Sequence, residues 1–118
     1  MILWLRDYLT TPSGFPRRPW AYAANQIGHI LVGALVAHLT GNWLAAVAIY
    51  CLLIEAPQLA LWGGDWSDGI EDTAHASAGA LAIAAGWPAL IVSGLIIAAG
   101  IAWRIEERGG LAAAQRRR

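Results

Sequence analysis

The residues of this chain that can do chemistry fall in three short stretches. Asn25, Gln26 and His29 form the first, Glu55 and Gln58 the second, and Glu71, Asp72 and His75 the third. Asn25 and His29 are four residues apart, so on a helix they share a face. Glu55 and Gln58 are three apart, and Glu71 and Asp72 stand four and three residues before His75, within reach of its imidazole. Two imidazoles with two or three carboxylates suit a divalent transition metal such as zinc, manganese or iron, with His29, Glu55, Asp72 and His75 as candidate ligands. The same four, joined by Asn25 and Gln58, can instead bind a polar lipid head group or act on one by acid–base chemistry. Proton relay is a third use.

A structural role stands beside these. Interhelical hydrogen bonds among Asn, Gln, His and Glu contribute roughly 0.6–2 kcal/mol each and can simply hold helices together. Gln26, Gln58, Asp68 and Glu71 suit that role, or helix capping, better than ligand binding. Glu55 is the most demanding residue of the set, a carboxylate flanked by Leu53, Ile54 and Ala56. It is expected to face a bundle interior, near His29, His75 or both. His38 reads as a lone interfacial histidine, and Cys51, the single cysteine, as a buried thiol within an apolar run. The chain has no Walker loop, His-Glu-x-x-His motif or Gly-x-Ser-x-Gly elbow.

The elements that must position these groups read as membrane helices. Of 118 residues, 58% are hydrophobic and 14% charged, against roughly 45–50% and about 25% in soluble domains. No Asp, Glu, Lys or Arg occurs over residues 19–54 or 73–103. A helix in water needs a polar face, so uncharged blocks of this length argue for lipid as the solvent. The basic residues are Arg6, Arg17, Arg18, Arg104, Arg108, Arg116, Arg117 and Arg118, all outside the two blocks. They read as flanks at the head groups rather than a nucleic-acid-binding face, and no nucleic acid is expected as a partner.

An all-α membrane bundle of three transmembrane helices is therefore expected, with spans at about residues 20–39, 43–62 and 70–103. An interfacial segment and connector over residues 1–19 precede them, since the apolar run at Ile2 to Leu5 is too short for a signal peptide. A charged tail over residues 104–118 follows. Gly41 should close the first helix and Asn42 cap the second. Asp68 and Glu71 resemble a capping box that starts the third near Gly69. Pro57 falls inside the second span, and Trp87-Pro88 is expected to kink the third. Trp20, Trp43, Trp62, Trp66 and Trp103 stand at the span ends, where the indole ring prefers the interface. Three spans bring the polar stretches to a similar depth near one face, and the arginine balance favours a cytoplasmic C-terminus.

The order of the polar stretches resembles the VanZ-like family of small polytopic membrane proteins. The matching stretches are Asn25-Gln26-Ile27-Gly28-His29, Glu55-Ala56-Pro57-Gln58, and Asp72-Thr73-Ala74-His75 through Gly79, covering residues 25–79. The family's Asp-Lys pair is Asn-Gln here, and its Asn in the third motif is His75. The resemblance implies a cell-envelope protein with a polar intramembrane site. The size and charged C-terminus also look like those of a phage holin, so a lesion-forming or purely structural membrane component is the alternative. Lipid, a second copy or a membrane-protein partner are the expected partners.

Overall fold

The computed structural model describes residues 15 and 17–116. The segment expected to lie in the interface falls almost wholly outside the described residues, as do Arg117 and Arg118. The described residues form helices and no strands: α1 (Pro19–Thr40), α2 (Trp43–Leu61), α3 (Trp66–Ala85) and α4 (Pro88–Gln115).

Local chemistry sets the boundaries. Pro19 stands in the first turn of α1, where its missing N–H leaves no bond unmade. Gly41 ends α1 at φ 66°, its N–H donating to the Ala37 carbonyl at 2.9 Å. The Asn42 side chain then accepts the Leu44 and Ala45 N–H groups and opens α2. After α2 the chain turns tightly, with Gly63 at φ 70° and the Gly64 N–H on the Gln58 carbonyl. The extended residue that follows is Asp65, whose carboxylate accepts the Ser67 N–H. The cap of α3 is thus Asp65 rather than Asp68, and α3 starts at Trp66, three residues before the expected Gly69.

The third expected span is two helices. Gly86 adopts φ 88° and ψ −177°, a conformation that side-chain-bearing residues avoid. Pro88, with no N–H to continue the ladder, starts α4. The expected kink is therefore a reversal, and α4 runs back along α3, bringing Ser93 against His75. Helix continues through residue 115, so most of the expected tail is the end of α4. Gly100 and Arg104 pack on Tyr22, and Arg108 donates to the Arg17 carbonyl. The end of α4 therefore lies beside the start of α1, whereas a three-span chain would put them at opposite ends.

The parallel pair α1 and α3 forms the centre. His29 meets Asp72, Gly33 meets Ala76, and Ala37 packs with Ala80, three rungs four residues apart on both helices. The approach is backbone to backbone, since a methyl on Gly33 would strike the Ala76 carbonyl and one on Gly79 the Ile30 carbonyl. α2 and α4 flank this pair, each touching both central helices and scarcely touching one another. The largest fully buried side chains are Tyr22, Tyr50, His29, His75, Gln26 and Asp72, while Leu31, Leu35, Leu52, Leu53 and Leu95 are exposed. The usual arrangement of a soluble domain is inverted. The two flanking helices, over Trp43–Leu61 and Pro88–Gly110, are long and apolar enough to cross a membrane.

Candidate functional site

Polar side chains line both flanks of the α1–α3 pair. On the α2 side, Tyr50 donates to Glu55 Oε1 at 2.6 Å, and its hydroxyl lies 2.6 Å from His29 Nδ1. The other ring nitrogen, Nε2, lies 3.2 Å from Asp72 Oδ2 and 3.0 Å from Asn25 Nδ2. One line therefore runs Glu55–Tyr50–His29–Asp72 through three helices, with every member buried.

This line depends on a local departure from the α-helix. Tyr50 and Glu55 are five residues apart, which at 3.6 residues per turn puts them roughly 140° apart around the axis. Residues Cys51–Glu55 instead form one π-helical turn, in which the Ala56 N–H donates to the Cys51 carbonyl five residues back. Pro57, two residues later, cannot donate to Leu53 and crowds that carbonyl, so the wider turn relieves it. Widening brings Tyr50 and Glu55 onto one face.

On the α4 side, His75 Nδ1 is hydrogen-bonded to Ser93, its Nε2 lies 3.9 Å from Glu71 Oε1, and Tyr22 donates to Glu71. The Arg104 guanidinium carbon sits 3.6 Å above the centre of the Tyr22 ring. Gly100 gives that ring its space.

The structure thus divides the expected set. Asn25, His29, Glu55 and Asp72 share the α2 side, and His75 turns to α4. Glu55 reaches His29 through Tyr50, not directly. Gln58 is buried, and its carbonyl accepts the Trp62 and Gly64 N–H groups at the end of α2. The candidate metal set His29, Glu55, Asp72 and His75 does not converge, and among the described residues no three His, Cys, Asp or Glu side chains are placed to hold a metal ion. The physical reason is that the α1–α3 contact separates the two imidazoles.

Tyr22, Tyr50 and Ser93 escape a reading based on α-helical spacing. Pro57 was the available signal for Tyr50, and Gly86 followed by Pro88 for Ser93.

Glu55 Oε2 and Asp72 Oδ1, at the two ends of the line, have no hydrogen-bond partner, although both residues are buried. Oε2 lies beside Gly69, where a methyl would come within 2.8 Å of it. There Glu55 forms part of the wall of an open cleft of about 370 Å³, completed by Cys51, Leu59, Trp66, Ile70 and Thr73. The cleft is apolar except for that carboxylate, the Cys51 thiol and Thr73, whose Sγ and Oγ1 are 3.8 Å apart. A carboxylate oxygen without a donor, beside an apolar wall, can accept a hydrogen bond from a polar group that reaches it.

Comparison of the chain with protein-family models, curated proteins and solved structures finds no match.

Proposed function

We propose that this chain is a small multi-pass membrane protein whose α1–α2–α3 side binds the polar head of an amphiphile entering laterally from the bilayer. The observation that carries the reading is Glu55 Oε2, buried, without a partner, and set in the wall of the apolar cleft.

Several features support the membrane part. The exposed surface of the bundle is leucine-rich, and the flanking helices are apolar enough to span. Trp43 and Trp87 stand at the end with the α1–α2 and α3–α4 turns, and Trp20, Trp62, Trp66 and Trp103 at the other. At 1.5 Å per residue, Trp43 to Trp62 and Trp87 to Trp103 span about 24–29 Å, close to a hydrocarbon core of about 30 Å. In this reading all four helices cross, and α1 and α3 carry fewer apolar residues because the flanking pair shields their polar faces. A lesion-forming or purely structural component has no use for an unpaired carboxylate in a cleft.

Cys51 lines the cleft and is the only cysteine, which makes it a reporter. The purified protein in detergent is treated with N-ethylmaleimide, with and without monolauroylglycerol or dodecylamine. Slower alkylation with either probe, abolished by filling the cleft with Gly69→Leu, is the expected result. Unchanged alkylation with both probes would overturn the reading.

A further inference from the structure

We infer that the head taken at Glu55 is a cationic amine and that it exchanges for a proton held on the Glu55–Tyr50–His29–Asp72 line. This deepens the proposed amphiphile site and rests on it.

The argument is a count of protons against bonds. Three bonds join the four residues: Glu55 Oε1 to Tyr50, Tyr50 to His29 Nδ1, and His29 Nε2 to Asp72 Oδ2. Each bond needs one proton. With both carboxylates ionised and His29 neutral, the four residues hold only two, on the Tyr50 hydroxyl and the imidazole. A fully bonded line therefore carries a third proton, and its net charge is then minus one.

Three arrangements satisfy all three bonds: an imidazolium between two carboxylates, with Tyr50 donating to Glu55, and two in which His29 is neutral. In one of these two, Glu55 donates to Tyr50, Tyr50 to Nδ1, and Nε2–H to Asp72. In the other, Asp72 donates to Nε2, Nδ1–H to Tyr50, and Tyr50 to Glu55. The two differ by a shift of each proton along its own bond, which moves acidity from one end of the line to the other. Asn25 Nδ2 lies 3.0 Å from Nε2 and can donate to it only when Asp72 does not.

A net charge buried among apolar helices is costly, so the line without ligand favours a fourth proton and neutrality. With three protons in the bonds, the fourth goes to a carboxyl that donates nothing to the line, at the partnerless Asp72 Oδ1 or, where Tyr50 donates to Glu55, at the partnerless Glu55 Oε2. Oε2 lies against Gly69, which lines the cleft together with Glu55. An ammonium head docking there is a donor and needs a bare oxygen, so the Oε2–H bond breaks and the proton leaves to solvent. An N–H···Oε2 hydrogen bond forms in its place. The charge of the occupied site stays zero and the three bonds of the line survive.

A neutral glycerol head has no such exchange. The groups facing Glu55 agree with a cationic head: Tyr50 from its own helix, His29 from α1, and the two carboxylates Asp72 and Asp68 from α3. Among the described residues no arginine lines the cleft. Its volume of about 370 Å³ lies at the small end of the roughly 300–1,000 Å³ typical of ligand pockets, which suits one amine head with part of a single chain.

The experiment follows Cys51 alkylation and proton release together, in weakly buffered detergent, with dodecylamine and monolauroylglycerol as probes. Rates are normalised to unliganded protein at each pH. Dodecylamine should protect more strongly than monolauroylglycerol and release about one proton per amine bound, so its apparent Kd should fall about tenfold for each unit of pH between about 6 and 8. Glu55→Gln keeps the bond to Tyr50 and the fold, checked by circular dichroism, and should lose both protection by the amine and the proton release. Equal protection by both probes, or an amine affinity independent of pH, would overturn the exchange and leave the amphiphile site standing. Failure of both probes would remove the site itself.

Discussion

Tyr50 joins two helices through a single oxygen, donating to Glu55 on α2 while lying 2.6 Å from His29 Nδ1 on α1. Its ring also stands edge-on to the imidazole, with centroids 5.7 Å apart. Replacement by Phe keeps the ring and deletes the oxygen. Glu55 Oε1 and His29 Nδ1 then lose a partner where no water-facing surface replaces it, a loss of about 1–3 kcal/mol for each group so stranded. Tyr50→Phe is accordingly expected to lower the thermal midpoint of the detergent-solubilised protein. It also parts Glu55 from Asp72, so dodecylamine should still bind, with its dependence on pH altered. A midpoint equal to the parent's would mean that the hydroxyl is not buried between the two groups. Gln26 is the contrasting case. It is fully buried with neither amide atom bonded, and nothing in the structure assigns it a task.

At the scale of elements, glycine positions separate contact faces from outer faces. A side chain at Gly33 would meet the Ala76 backbone, whereas one at Gly28, five residues earlier on the same helix, would meet nothing. Gly33→Leu should therefore force α1 and α3 apart and break the His29–Asp72 contact, at a cost at or above the roughly 1–3 kcal/mol of ordinary overpacking. Gly28→Leu should be close to neutral. Thermal denaturation of the two variants side by side measures the difference, and equal midpoints would contradict the packing. Much of the architecture was legible in the residues: the helical class, the caps at Gly41 and Asn42, and polar groups on three successive helices. The remainder depended on backbone conformations that periodicity does not encode. Residues 70–103 keep one apolar pattern throughout, so the reversal at Gly86 is invisible to hydropathy and rests on a single φ. The pairing of Tyr50 with Glu55 depends on the π turn beside Pro57, since regular helical spacing separates them.

For the whole molecule, the reversal at Gly86 changes where the charges stand. Residues 100–108 return to the side of residues 17–22, so Arg17, Arg18, Arg104 and Arg108 gather at one end with the 62–65 turn. The opposite end holds the 41–42 and 86–87 turns, which contain no Asp, Glu, Lys or Arg. In a three-span chain the arginines would divide between the two faces and leave orientation nearly balanced. With four crossings the bias is one-sided, and short basic flanks are retained on the cytoplasmic side. The described start of α1 and the end of α4 are therefore expected in the cytoplasm, with both turns outside. Cys51→Ser removes the native thiol, after which single cysteines at Gly41, Gly86, Gly63 or Gly109 can be exposed to a membrane-impermeant maleimide in intact cells. Labelling at 41 and 86, and protection at 63 and 109 until the cells are opened, is the expected pattern. Labelling at 86 and 63 from the same side would show that α3 does not cross, and the cleft beside Gly69 would then not open into the bilayer. Adding two arginines at the 86–87 turn should reduce correct insertion, because that turn must be translocated and each arginine opposes the move.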